Sequence, residues 1–412
     1  MTVLEQIQRL QFSDPEAAQG LLRAFVEDVF ALKVVEVTLR PLAVSLNSFN
    51  GFLTLADGRR LFFKSHVEPG SVIAEYYNTE LMVGAGYPVI RPVYASTAPG
   101  RQMLLYEVVE DRSVFDVAWD IERGEGALLP TLRAAQHAAD DDLWRIYRAT
   151  LRWQGAAEHA RAPIHQLFHF RLTGGRLDTF YGPGKHVTLP GMADVPLEAV
   201  RRARWTINGV EFRDSLDEII ARALSLLEPG QPGPAVVGHG DAHNGNVFLR
   251  QRPGQPPGLV YFDPAFAGQH DPLLDLVKPL YHNVFAMWMY FPGELEGEQG
   301  AALTCDGERF VVQYPHALPE VRRLFWQSKT ERVLLPLLQS LKAEGWLRPD
   351  WRLYLQAGLA CCPLLTLNLA EGERFPPAIA LLGLAQVIEM GARSVDGTSY
   401  IERWLDEVEA AL

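Results

Sequence analysis

The string His239-Gly240-Asp241-Ala242-His243-Asn244-Gly245-Asn246, with Asp263 placed 17 positions after Asn246, gathers side chains that can hold a hard cation and move a proton. Aspartate and asparagine offer oxygen donors of the kind Mg²⁺ prefers, and Mg²⁺ is usually held by one or two carboxylates together with substrate phosphates. A carboxylate at such a site can also take the proton of a hydroxyl as a new bond forms. The two aspartates close the short apolar runs AVVGHGD and GLVYFDP, and the polar stretch RQRPGQPPG lies between those runs. Read as a hairpin, the runs put Asp241 on a loop after one strand and Asp263 at the end of the next, so that both carboxylates converge on one cleft.

This string and the later set Gly268, Asp271, Pro272, Asp275 and Leu276 resemble the aminoglycoside phosphotransferase and choline kinase-like family of small-molecule kinases, relatives of protein kinases. His239, Gly240, Asp241 and Asn246 match its H-G-D-x-x-x-x-N, and Asp263 matches its metal aspartate. The Asp263-Pro264-Ala265 variant is similar to the fructosamine kinase branch. The resemblance implies an α+β, two-lobed protein kinase-like fold, with a small antiparallel β N-lobe and a large helical C-lobe. It implies ATP and Mg²⁺ as cofactors, Asp241 as the base that orients the acceptor hydroxyl, and Asn246 and Asp263 as metal ligands. Lys64, in RLFFKSH, would meet the nucleotide phosphates and pair with Glu75, or with Glu80 as second choice. Ser48, Phe49 and Asn50, next to Gly51, occupy the phosphate-loop hairpin position, whose backbone N–H groups would face the phosphates. In MLLYEVV, backbone groups of Glu107 and Val109 would meet the adenine edge. Asp275 and the His239 ring would brace the catalytic loop. The matched segments, about 44–110 and 236–280, cover roughly a quarter of the chain.

The elements that must position these residues can be read along the chain. Residues 1–33 form a helical extension, in which Ser13-Asp14-Pro15-Glu16 combines a capping box with an early proline. Residues 34–109 hold β-rich runs split by turn signals such as Asp57-Gly58, which predicts a mainly antiparallel sheet and a nucleotide-binding unit. One stretch within it, 71–85, has helical spacing. Residues 110–412 read as mostly helical, with an irregular insert at 165–235 on the substrate side. Arg171, Arg176 and Trp205 in that insert, with His243, Asp271 and Trp288, are candidate acceptor contacts, because pockets combine apolar walls with a few oriented polar groups. Surface arginines on a helical subdomain and an aromatic core stripe are the competing readings.

Composition narrows the function classes. With 38 Lys+Arg against 50 Asp+Glu, the net charge of −12 and the lack of a basic cluster disfavour nucleic acid and anionic membranes. The 48% hydrophobic fraction of the 412-residue chain is that of a globular protein of two or three units. Three cysteines without C-x-x-C spacing fit a reduced cytoplasm and no zinc site. The first residues lack a signal-peptide pattern, and the longest nearly apolar run, 358–370, is too short to span a bilayer. The sequence therefore predicts a cytoplasmic, ATP-dependent kinase whose acceptor is the hydroxyl of a sugar, amino sugar, aminoglycoside or choline-like compound. A catalytically inactive nucleotide-binding regulator of the same fold is the alternative. A metallophosphoesterase ranks third, because its further Asp and His strings are missing after Asp241.

Overall fold

The computed structural model describes residues 2–40, 48–66, 69–306, 309–315 and 317–412, with the side chains of Ser48, His66, residues 69–75 and Asp306 excepted. Its contacts divide into two compact units, residues 1–112 with 260–267, and residues 113–259 with 268–412.

The first unit opens with two helices. In α1 (Val3–Ser13) the Thr2 hydroxyl accepts from the Glu5 N–H at 3.2 Å and the Glu5 carboxylate accepts from the Thr2 N–H at 2.6 Å, a reciprocal cap that satisfies two otherwise orphaned donors. α2 (Pro15–Phe30) is capped by Asp14, whose carboxylate accepts the Ala17 N–H at 3.1 Å. Ser13 therefore ends α1 and does not cap α2, because the capping box formed one helix earlier. Five strands follow: β1 (Val34–Leu39), β2 (Ser48–Leu55), β3 (Arg60–His66), β4 (Tyr94–Ser96) and β5 (Met103–Glu107). They pair antiparallel in the order β1-β2-β3-β5-β4, and α3 (Pro69–Ala85) leaves the sheet between β3 and β4. Leu4, Ile7, Leu22 and Phe25 from the helices share one apolar cluster with Val37, Leu53, Leu61 and Phe63 from the strands. Helices and sheet thus bury each other's apolar faces, which is the main stabilising term available to either.

The returning segment 260–267 is fastened to this unit at several points. The Tyr261 N–H donates to Pro88 O at 2.8 Å, and the Ile90 N–H donates to Tyr261 O at 2.9 Å. Phe262 packs edge-on against Phe62 and Tyr106, with ring centroids 6.1 and 5.2 Å away.

The second unit is mostly helical. Its helices include α4 (Leu129–Thr150), α5 (His169–Thr173), α6 (Arg176–Tyr181), α7 (Pro272–His282), α8 (Trp351–Leu365) and α9 (Pro377–Gly391). α9 is apolar nearly all round and buried along its length, the pattern of a helix enclosed on every side; α8 packs on both α7 and α9. Short strands complete the unit: β6 (Arg152–Gln154), β7 (Arg204–Ile207), β8 (Val210–Phe212), β9 (Gly233–Gly238), β10 (Val247–Arg250), then, after β11 (Gly258–Tyr261), whose last two residues belong to the first unit, β12 (Gly268–His270), β13 (Ala302–Asp306) and β14 (Arg309–Gln313).

Two expectations are corrected here. AVVGHG does not form a hairpin with GLVYF: β9 pairs with β12 and β6, and the neighbour of β11 is β10, the run VFLR just after the catalytic string. The RQRPGQPPG turn does close a hairpin, but one that starts later. The insert also contributes sheet, since β8, β7, β14 and β13 form four adjacent strands in that order, with β7 and β14 parallel. A parallel pairing across about a hundred residues leaves no local signal in sequence.

Candidate active site

The loop at 239–246 is delivered by β9, a strand buried at almost every position, and is held by one carboxylate. Asp275 Oδ1 accepts the Gly240 N–H at 2.6 Å and lies 2.9 Å from His270 Nε2, while the Tyr147 hydroxyl donates to Oδ2. Burial works to raise the Asp275 pKa, but His270, Tyr147 and the Gly240 N–H outweigh it and hold the carboxyl below its ordinary value. The backbone must come very close for this clamp. A Cβ at Gly238 would stand 2.5 Å from Asp275 and from His270 Nε2, and Gly240 has φ of 80°, where side chains are strained. The Asp241 N–H donates to His239 Nδ1 at 3.3 Å. Asn246 Nδ2 donates to the Asp241 carbonyl at 3.0 Å, which turns the amide oxygen the other way.

Asp241 itself sits among basic side chains. Lys278 Nζ is 3.8 Å from Oδ1, and His243 Nε2 is 3.9 Å from Oδ2. Among the described residues Oδ1 finds no hydrogen-bond donor, although it is buried. Burial works to raise the Asp241 pKa, but Lys278, His243, His239 and Arg171 outweigh it and hold the carboxyl below its ordinary value. Behind Asp241, Lys278 Nζ is 3.3 Å from His282 Nε2, and His282 Nδ1 is 3.1 Å from the Tyr290 hydroxyl. Burial, reinforced by the Lys278 charge, drives the His282 imidazole well below its ordinary pKa, so it is neutral and can accept from the ammonium. Sequence reasoning missed Lys278 and His282. The signal was present, because Asp275, Lys278 and His282 follow at intervals of three and four and so share one face of α7.

In the first unit, Lys64 Nζ donates to Asp263 Oδ1 at 2.6 Å, with the two side chains 12% and 33% exposed. Asp263 has φ of 55°, an uncommon backbone state for a residue with a side chain. The following turn is tied to α3, since Asn78 Nδ2 donates to Pro264 O at 3.0 Å and to Ala265 O at 3.3 Å. The side chains of the expected partner Glu75 and of Ser48 lie outside what the structure describes, as do residues 41–47 altogether. Phe49 and Asn50 are corrected from loop to strand: they pair with Ser65 and Lys64, and the Phe49 side chain is 1% exposed in the core. Gly51 is required there by packing, because a Cβ would strike Thr38 O and the Phe63 ring. Glu107 closes β5 opposite Leu61 and is exposed, and Val109 is half-buried just beyond it.

The family model for a phosphotransferase enzyme family matches residues 50–311, more than half of the chain. The chain belongs to this phosphotransferase family. Solved structures similar to it include an amicoumacin kinase in complex with AMP-PNP, Ca²⁺ and Ami (14% identity, 89% of this chain and 92% of that one, TM-score 0.48). Others are a thermostable aminoglycoside phosphotransferase mutant with AMP-PNP and hygromycin B (10% identity, 90% and 97%, TM-score 0.46) and a candidate fructosamine-3-kinase from Thermobifida fusca (16% identity, 89% and 96%, TM-score 0.42). A comparison with curated proteins finds no match.

Several residues proposed from sequence as acceptor contacts of this phosphotransferase have other work. Trp205 is fully buried and packs edge-on against Phe310 at 5.2 Å. Trp288 is fully buried, and its Nε1 donates to Gln386 Oε1 at 2.9 Å. Neither ring has surface for a ligand. Asp271 caps α7, accepting the Leu273 and Leu274 N–H groups at 2.8 and 3.1 Å; an aspartate just before Pro272 suits that task as well as it suits a site. Phe285 and Met287, neighbours of Trp288, do line a cavity of about 280 Å³ with Glu122, Tyr314 and Arg322. Arg171 lies close enough to Asp241 for their charges to interact, and Arg176 Nη1 donates to Leu365 O at 3.1 Å. Among the described residues no group of three or more His, Cys, Asp or Glu side chains is gathered for a metal, and no helix is long and apolar enough to cross a membrane.

Proposed function

We propose that this phosphotransferase is an ATP-dependent kinase that phosphorylates a hydroxyl of a small molecule. The observation that carries the reading is Asp241: a carboxylate on a rigidly braced loop, held below its ordinary pKa by the basic groups around it, with a buried oxygen that no donor among the described residues uses. Such a group is prepared to accept one hydrogen bond from outside the chain. In the reaction the acceptor hydroxyl donates to Asp241. Its oxygen forms a bond to the γ-phosphorus, the bond from that phosphorus to the β–γ bridging oxygen breaks, and the hydroxyl proton passes to the carboxylate as ADP leaves. Lys64 adds positive charge toward the phosphates.

The donors fit Mg²⁺, since Asn246 retains an amide oxygen and Asp263 is a partly exposed carboxylate. These two residues would hold the ion, which when bound neutralises charge on the phosphate oxygens. A site of two protein oxygens depends on nucleotide phosphates for its remaining ligands, so metal and nucleotide should bind together.

ATP·Mg²⁺ at a hundred times its Kd should stabilise the protein by about 2.7 kcal/mol, read as a rise in Tm, and Asp263→Ala should remove most of that rise. An ATP-consumption screen against sugars, amino sugars, aminoglycosides and choline, with the phosphorylated product confirmed by mass, tests transfer. Nucleotide stabilisation with no transfer to any hydroxyl compound would favour the inactive regulator, and no stabilisation at millimolar nucleotide would reject both readings.

A further inference from the structure

One helix serves the whole catalytic loop. From α7 and the residue after it, Asp275 Oδ1 accepts the Gly240 N–H at 2.6 Å, Lys278 Nζ stands 3.8 Å from Asp241 Oδ1, and Asn283 Oδ1 accepts the Asn244 N–H at 2.7 Å. The outer two contacts hold the loop backbone. The middle one meets the side chain that takes the proton in the kinase reading. Lys278 is 3% exposed, and burying a lysine costs both its hydration and the freedom of a long side chain.

Two distances define its state. An ammonium beside a carboxylate ordinarily donates to it at about 2.7–2.9 Å, yet Nζ lies 3.3 Å from His282 Nε2 and stops 3.8 Å short of Asp241 Oδ1. With Nε2 as acceptor, the other ring nitrogen carries the hydrogen, and Nδ1 lies 3.1 Å from the Tyr290 hydroxyl. The Thr366 hydroxyl, just past α8, is 3.4 Å from Nε2. The ring, 4% exposed, is therefore fixed at both nitrogens. Attraction between charges falls off only as the inverse of distance, whereas a hydrogen bond is essentially lost beyond about 3.5 Å. Lys278 thus lends Asp241 positive charge without using a lone pair of Oδ1, for which no donor is found among the described residues.

We propose that Lys278 is a positioning residue for phosphoryl transfer and that His282 is its stop: the imidazole holds the ammonium back from Asp241, so that its charge steadies the carboxylate while the oxygens stay open to the acceptor hydroxyl. This rests on the kinase reading for the hydroxyl, and on the Asp241–Lys278–His282–Tyr290 distances for the stop. Loss of the imidazole is then harmful for a particular reason. The freed ammonium closes onto Asp241 and competes with the hydroxyl for it.

The test uses the full chain with ATP·Mg²⁺ and two hydroxyl probes, water, read as phosphate release, and glucose. Lys278→Met should lower kcat about 10–100-fold, as loss of the outer partners that orient metal ligands does, with little change in KM for ATP. His282→Leu should also lower kcat, and His282→Gln, whose amide oxygen still accepts from the ammonium, should recover most of that loss. Because His282 acts through Lys278, the double variant Lys278→Met/His282→Leu should lose no more than Lys278→Met alone. Full kcat in Lys278→Met, equal losses in the Gln and Leu variants of His282, or summed losses in the double variant overturns the proposal. If Lys278→Met does not fold, the two His282 variants decide.

A second readout needs no turnover. The chain has six lysines, so nitrogen-15 labelling of lysine gives a short NMR spectrum in which a slowly exchanging ammonium signal should vanish in Lys278→Met, move in His282→Leu and stay in place in His282→Gln. A signal indifferent to both His282 variants sinks the stop. Asp241→Asn separates the two readings: undiminished phosphate release in that variant defeats the catalytic base of the kinase reading, whereas an inactive Asp241→Asn beside a fully active Lys278→Met defeats this proposal alone. A wild type that turns over neither probe nor any screened compound defeats the kinase reading, and the ammonium signal then decides the stop.

Discussion

At the scale of single residues, Asp241 and Asp263 were singled out by type and spacing, whereas the side chains that contact them were not read from sequence as their partners. Asp241→Asn keeps the volume of the side chain and removes its basicity, so kcat should fall by about 10²–10⁴-fold with little change in ATP affinity; steady-state kinetics with a confirmed acceptor would decide, and a fully active variant would point to another base such as His243. Lys278 and His282 escaped notice because a buried lysine is uncommon and because a contact to a loop more than thirty residues away is tertiary. Trp205 and Trp288 were misread for the converse reason. An aromatic residue in a segment without clear pattern can face a ligand or a core, and only the packing of Phe310 and Gln386 decides which. The positive φ of Asp263, a residue with a side chain, is a local cost at a residue of the proposed chemistry, where such costs are commonly tolerated, whereas Gly240 adopts its positive φ without strain.

At the scale of elements, the antiparallel sheet and α3 were legible because period-two runs and turn residues are local signals. The β9–β12 pairing and the β7–β14 parallel pairing were not, since their registers depend on segments far apart in sequence. The clamp between β9 and α7 should be unforgiving: Gly238→Ala would drive a methyl group into Asp275 and His270, and Asp275→Ala would strip a buried cluster of its only carboxylate. Breaking a buried pair of this type costs about 3–5 kcal/mol, and loss of activity together with a lowered Tm in both variants is the expected outcome. α9 carries a group with the opposite response to pH. Burial raises the Glu389 pKa from 4.5 to about 7, although the Tyr314 hydroxyl donates to it. A raised folded-state pKa stabilises fully below the unfolded value and is lost as pH rises through the folded one. The wild type should therefore lose on the order of 3 kcal/mol between about pH 4.5 and pH 7 through this group. Glu389→Gln should flatten that part of the Tm profile, and an unchanged slope would show that Glu389 is ionised in the folded protein.

At the scale of the whole molecule, composition set the class of globular protein and argued against nucleic acid, but gave no hint that one unit is assembled from two stretches of sequence. The first unit includes 260–267, and that stretch supplies Phe262 to the rings of Phe62 and Tyr106 and Asp263 to Lys64. A fragment of residues 1–112 should accordingly be less stable than the same unit in the intact chain, and adding a peptide of residues 258–268 in trans should recover part of the difference; circular dichroism melts would measure both. The same arrangement bears on synthesis. A ribosome that has finished residue 112 must still make the intervening stretch before Phe262 emerges, which at about 5–20 residues per second is a delay on the order of 10–30 s. During that interval the nascent sheet presents an open aromatic seat, and a holdase that shields it would raise the yield of folded protein without touching the active site.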